Sequence, residues 1–116
     1  MHRILSAAAL AAILSVPAMA QPASITVSAA APTDSGVYQV KAVSVQVADV
    51  DLGTAQGAAA LLDRIDTASR AVCGERAGRT MSDKRAKQFA ACRLHTTASA
   101  VQAVNAPTLT QFAAAR

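Results

Sequence analysis

The 116-residue sequence has no tryptophan, one tyrosine and two phenylalanines. With so few rings and so much alanine, any core must be thin, with helices packed closely on small side chains. The same scarcity removes the aromatic interleaving that single-stranded nucleic acid needs for base stacking. Histidine is almost as rare: beyond the first twenty residues only His95 remains. The chain carries no G-x-S-x-G elbow, no H-E-x-x-H pair and no phosphate-binding glycine loop. These absences leave no catalytic constellation, so the expectation is a protein that is not an enzyme and holds no cofactor.

What is present begins with an export signal. Met1-His2-Arg3 is a short positive start, Ile4 to Val16 is apolar apart from Ser6 and Ser15, and Pro17-Ala18-Met19-Ala20 ends in the A-x-A pattern of a cleavage site. A run of this length is too short to span a bilayer, which takes about 20 apolar residues. Position 21 is Gln rather than the Cys of a lipoprotein. The expected mature chain starts at Gln21, after cleavage between Ala20 and Gln21, and is periplasmic or secreted. Losing residues 1–20 leaves 96 residues and lowers the net charge from +4 to +3 by removing Arg3. That is one domain, of a size that buries only about 60–65% of its unfolded surface and benefits from a covalent staple.

Residues 21–36, "QPASITVSAAAPTDSG", read as a flexible N-terminal segment, although Ile25 and Val27 alternate enough to pair as a strand. Residues 37–116 read as a single small domain. In "VYQVKAVSVQVA", Val43, Val45 and Val47 fall on one strand face and Ser44, Gln46 and Ala48 on the other. The alternation changes phase near Lys41-Ala42, which suggests a bulge or a strand start. After Thr54, a plausible N-cap, Ala58, Leu61, Leu62, Ile65, Ala68 and Val72 recur at helical spacing up to Gly74, a C′ glycine. Asp49 and Asp51 precede that helix, where negative charge is favoured. A second helix carries Phe89, Cys92, Thr96, Ser99 and Ala103 on one stripe, with Leu94, Ala98 and Val101 beside it. It runs to Asn105-Ala106-Pro107, and Pro107 can open a last short helix through Leu109 and Phe112.

The two cysteines, Cys73 and Cys92, read first as a disulfide, given an even count in an exported chain. Closing that loop is worth about 3 kcal/mol in the chain-entropy model. The spacing is wrong for a C-x-x-C redox pair. Free thiols are one alternative. A metal site using Cys73, Cys92 and His95 is another, but a structural zinc site wants a fourth ligand. The bridge raises one difficulty. A helix capped by Ser82 or Asp83 would put Cys92 about 15 Å inside it, whereas bridged Cα atoms lie within about 7 Å. Either the helix starts later, near Lys87, or residues 82–86 form a separate turn that doubles back; a long folded loop is the preferred expectation.

Between Gly74 and Arg93 the basic residues Arg76, Arg79, Lys84, Arg85, Lys87 and Arg93 face only Glu75 and Asp83. In an exported chain such a patch suits an anionic envelope lipid or polysaccharide rather than nucleic acid; an ordinary solvated face is the alternative. A valine strand with an unpaired edge also admits strand pairing with a protein partner, or a homodimer.

Together, the valine-rich strand, "VADVDLGTAQGAAALLDRIDTASRAVCG", the cysteine in "FAACR" and the closing "AVNAPTLT" resemble the UrcA family of small exported bacterial proteins over about residues 43–112. This chain reads "DVDL" where that family more often has "DLDL", which keeps the apolar position. The resemblance implies an envelope location and a cysteine pair, and no activity. The expected architecture is α+β and mainly helical: a valine-rich strand, alone or in a two-stranded hairpin, packed on two main helices with one disulfide.

Overall fold

The computed structural model describes residues 21–33, 35–74 and 82–116. The expected signal segment, and Arg76 and Arg79 of the basic run, lie outside them. The chain forms a two-stranded antiparallel hairpin packed on three helices, the α+β, mainly helical architecture expected. Strand β1 is Ser24–Pro32 and β2 is Tyr38–Gln46. They pair without interruption from Ser24↔Gln46 to Pro32↔Tyr38.

Two readings of this region are corrected. Residues 24–32 are a strand rather than part of a flexible segment. Ile25 and Val27 are buried against the helices, and Gln21 holds the start of the segment by donating from Nε2 to the Val47 and Val50 carbonyls. Nor is there a bulge at Lys41-Ala42. The strand continues in regular register, and the phase break in its apolar pattern has another cause: Gln39 and Lys41 take the helix-facing positions, while Tyr38 and Val40 stand on the open face.

Helix α1 spans Ala55–Cys73. Its start is fixed by Thr54, whose Oγ1 accepts from the Gly57 N–H at 3.0 Å, satisfying one of the donors a helix N-terminus leaves free. Its end is fixed by Gly74, left-handed at φ 84°, a conformation that costs little without a Cβ. Between the caps Ala58, Leu61, Leu62, Ile65, Ala68 and Val72 are all buried, as their spacing requires.

Helix α2 spans Asp83–Val104 with Ser82 as N-cap, its Oγ accepting from the Arg85 N–H. The helix therefore starts at Asp83, not near Lys87. The stretch between Cys73 and Asp83 can reach about 30 Å at most, more than the roughly 14 Å of α2 that precedes Cys92. The first turns of α2 overhang the end of α1 and meet the hairpin tip, where Arg85 donates to the Pro32 carbonyl at 3.0 Å. The buried stripe of α2 also differs from the one expected. It runs through Thr96, Ala100, Val101 and Val104, with Phe89 and Cys92 half-buried, while Ser99, Ala103 and Leu94 are exposed. Asn105 closes α2 at φ 54°, and Pro107 opens α3, Pro107–Ala114.

The core lies between the hairpin and α1. Ile25, Val27, Val45 and Val47 meet Leu61, Ile65 and Val72, and Val101, Val104 and Leu109 close the far side. α1 covers both strands, whereas α2 packs on β1 and, among the described residues, not on β2.

Candidate functional site

Cys73 and Cys92 form a disulfide with an S–S distance of 2.01 Å and Cα atoms 5.8 Å apart. Cys73 is the last residue of α1 and Cys92 lies nine residues after the start of α2. The overhang of α2 is what makes this bridge geometrically ordinary. Thr96, one turn beyond Cys92, is buried with its Oγ1 at 3.7 Å from Cys73 Sγ and 3.9 Å from Cys92 Sγ. Ser69, wholly buried on α1, accepts from Thr97 Oγ1 at 3.1 Å. The α1–α2 seam is thus covalent at one level and hydrogen-bonded just below.

With both sulfurs in the bridge, neither can offer the thiolate that a metal requires, and this corrects the alternative of a centre built from Cys73, Cys92 and His95. His95 itself is exposed on α2.

Of the expected basic patch, the structure keeps three residues together and takes one away. Lys84, Arg85 and Lys87 lie in the first turns of α2. Arg93 is turned inward instead: its Nη2 donates to Asp66 Oδ1 at 2.6 Å, and its guanidinium lies 5.8 Å from the Phe89 ring centre. Asp66 also holds Arg70, at 3.1 Å. A residue the sequence reading did not include joins the patch from the strand side. Lys41 lines, with Arg85, Gln39, Pro32 and Gly74, a pocket of about 180 Å³ at the hairpin tip. The phase break at Lys41 was the signal that could have found it.

The remaining described arginines are matched to aspartates. Arg64 makes a two-pronged contact with Asp49, at 2.7 and 2.9 Å, and Arg116 reaches Asp63 at 3.1 Å. Asp49 is therefore an ion-pair partner rather than a helix-start charge. The Arg64 hydrogen bond holds the Asp49 carboxyl below its ordinary range, and the same bond raises Arg64. Asp51 does serve the helix start: its Oδ1 accepts from the Gly53 N–H at 2.9 Å and its carbonyl from the Thr54 N–H and Oγ1. No group of three or more His, Cys, Asp or Glu side chains is placed to hold a metal among the described residues.

Two open grooves lie elsewhere on the described surface. One of about 420 Å³ lies between α2 and α3, over Leu62 and Asp66, with the 76%-exposed Leu94 at its rim. The other, of about 540 Å³, follows the outer edge of β2 beneath α1, lined by Val43, Val45, Thr67, Ala68 and Ala71.

Fold and surface define a class: a small disulfide-stapled α+β domain whose lysines, Lys41, Lys84 and Lys87, lie towards one end. The comparisons add no relative, for the chain matches no protein-family model, no curated protein and no solved structure.

Proposed function

We propose that this chain is a non-enzymatic protein of the cell envelope, exported through a signal in residues 1–20 and akin to the UrcA proteins, that docks on an anionic surface through its hairpin-tip end. One observation carries the reading. Arg64, Arg70, Arg93 and Arg116 are each matched to an aspartate, whereas Lys41, Lys84 and Lys87, all the lysines of the chain, are exposed at or near that tip. Among the described residues, Asp83 is the acidic residue beside them. Three aspartates offset all but one of those four arginine charges, so most of the outward field of the described residues comes from the tip. Basic side chains near an anionic membrane contribute about 1 kcal/mol each, screened by salt.

The test is co-sedimentation with vesicles containing anionic lipid. Binding should weaken steeply as salt rises from ~50 to ~500 mM. The exposed double substitution Lys84→Gln/Lys87→Gln should cost about 30-fold in affinity, the equivalent of two such contacts. Binding indifferent to salt and to both substitutions would reject the reading. Export is tested separately by the intact mass of the protein from its own compartment. A start at Gln21, with alkylation only after reduction, is the expected result; a start at Met1 would reject it.

A further inference from the structure

We infer that two copies of this chain pair through the outer edge of β2, in one specific antiparallel register centred on Val40. The inference goes beyond surface binding and does not depend on it.

The edge is built for pairing. Thr33 donates from its N–H to the Val37 carbonyl and Val47 to the Ala23 carbonyl. The odd-numbered residues of β2 therefore form the hydrogen-bonded pairs with β1, and the N–H and C=O groups of Tyr38, Val40, Ala42 and Ser44 point the other way. Among the described residues only the Gln46 carbonyl on that side has a partner, Arg64 Nη1 at 3.1 Å. The β1 edge is managed differently: Pro32 offers no N–H, Arg85 takes its carbonyl, and α2 packs on that strand. So, among the described residues, the β2 edge stands open. Four of the five large apolar side chains exposed among the described residues sit along it, Val37 at 64%, Tyr38 at 66%, Val40 at 73% and Val43 at 37%.

The order of those side chains selects a second copy as the occupant. With Val40 opposite Val40 across a two-fold axis, Tyr38 meets Ala42 on the open face. On the helix-facing side Val37 meets Val43, and Gln39 meets Lys41. Every exposed apolar residue of the strand then has an apolar partner. A register centred on Lys41 would set the two ammonium groups directly opposite each other, which is destabilising. One centred on Ala42 would place Val40 against Ser44 and Tyr38 against Gln46.

The helices permit the chosen register. Strands in a sheet lie about 4.8 Å apart, so helices lying over each hairpin would come about 10 Å from one another, an ordinary packing distance. The α1 side chain shared by the β2-edge groove and the hairpin-tip pocket is Ala71, small enough not to obstruct. The exposed parts of the four side chains and the strand backbone between them, counted over two copies, come to about 1,000 Å², where specific interfaces begin.

Sedimentation velocity of the oxidised protein should show a monomer–dimer equilibrium below about 1 mM, as expected for an interface near that lower limit. Val40→Lys places two charges face to face at the axis and should abolish the dimer. Because Val40 is mostly exposed, the variant should keep the circular dichroism and melting of the parent. Cysteine probes fix the register: under mild oxidation Val40→Cys should link two chains, while Ala42→Cys, about 13 Å from its own copy, should not. A chain that stays monomeric at 1 mM, a dimer that survives Val40→Lys in the folded protein, or linkage at Ala42→Cys rather than Val40→Cys would each overturn the inference.

Discussion

Arg93 and Asp66, 27 positions apart on α2 and α1, meet at 2.6 Å on the flank of the helix pair that the Cys73–Cys92 bridge holds together. One aspartate serves Arg93 and Arg70 at once, so a side chain that composition assigns to a basic patch is spent inside the fold. What is left for the surface is the lysine end. The bridge makes that division possible, because it fixes how far α2 overhangs α1 and hence which basic residues reach past the core.

Removing the bridge should therefore cost more than packing alone suggests. Cys73→Ser/Cys92→Ser, or reduction of the parent, should lower unfolding stability by about 3 kcal/mol in the loop-closure account. Urea unfolding followed by circular dichroism, with and without reductant, measures it. The double variant should be insensitive to reductant, and a parent whose midpoint is equally insensitive would deny the bridge a stabilising role.

Gly57 sets two effects of opposite sign against each other. It lies in the first turn of α1, where alanine would ordinarily stabilise a helix by about 1 kcal/mol. Yet a Cβ at this position would sit 1.8 Å from the Asp51 carbonyl oxygen, a backbone atom held in the helix-start turn by Thr54. The turn would have to move, and overpacking of this kind costs about 1–3 kcal/mol. The clash should win: thermal melting of Gly57→Ala is expected below that of the parent, and a raised melting temperature would show that the turn yields freely.

α1 was legible because Leu61, Leu62 and Ile65 contrast sharply with Asp63, Arg64 and Asp66, so the period and both caps agree. α2 was less so. Its faces are written in Ala, Ser and Thr, and nothing in those side chains distinguishes Ala100, which is buried, from Ser99 and Ala103, which are not. The start of α2 was misplaced because the bridge was weighed against helix length without allowing α2 to begin beyond the end of α1. β1 was legible only at its start, from Ile25 and Val27: past them its inward positions are Ala29 and Ala31, too small to show a period, and only pairing with β2 under α1 decides them. The Asp66–Arg93 and Asp49–Arg64 pairs span elements, and no local pattern announces them.

Leu109 anchors α3. It is the buried residue of that helix and has no solvent exposure, and α3 has no side-chain cap at its start. A helix this short is not stable by propensity alone. Leu109→Ala should cost about 3 kcal/mol through lost burial and the cavity left behind, and it should release α3 first. Hydrogen exchange can separate the two effects, with amides of 110–115 losing protection before those of α1. Uniform loss across the molecule would mean that α3 unfolds only with the whole domain.

The Asp49–Arg64 pair gives stability a pH dependence of definite sign. The folded carboxyl is held below its unfolded value by the Arg64 hydrogen bond, so the folded state binds that proton less readily than the unfolded chain does. The stability this contributes is present above the unfolded carboxylate pKa of about 3.9 and is lost as pH falls through the lower folded value. Both partners are exposed, so the contribution is small and salt-sensitive. Asp49→Asn should flatten the acid limb of the stability curve below about pH 4 while leaving stability above about pH 5 reduced by a constant amount. Urea midpoints of parent and variant between about pH 2 and 9 provide the comparison. An acid limb unchanged in Asp49→Asn would reject the Asp49–Arg64 pair as its source.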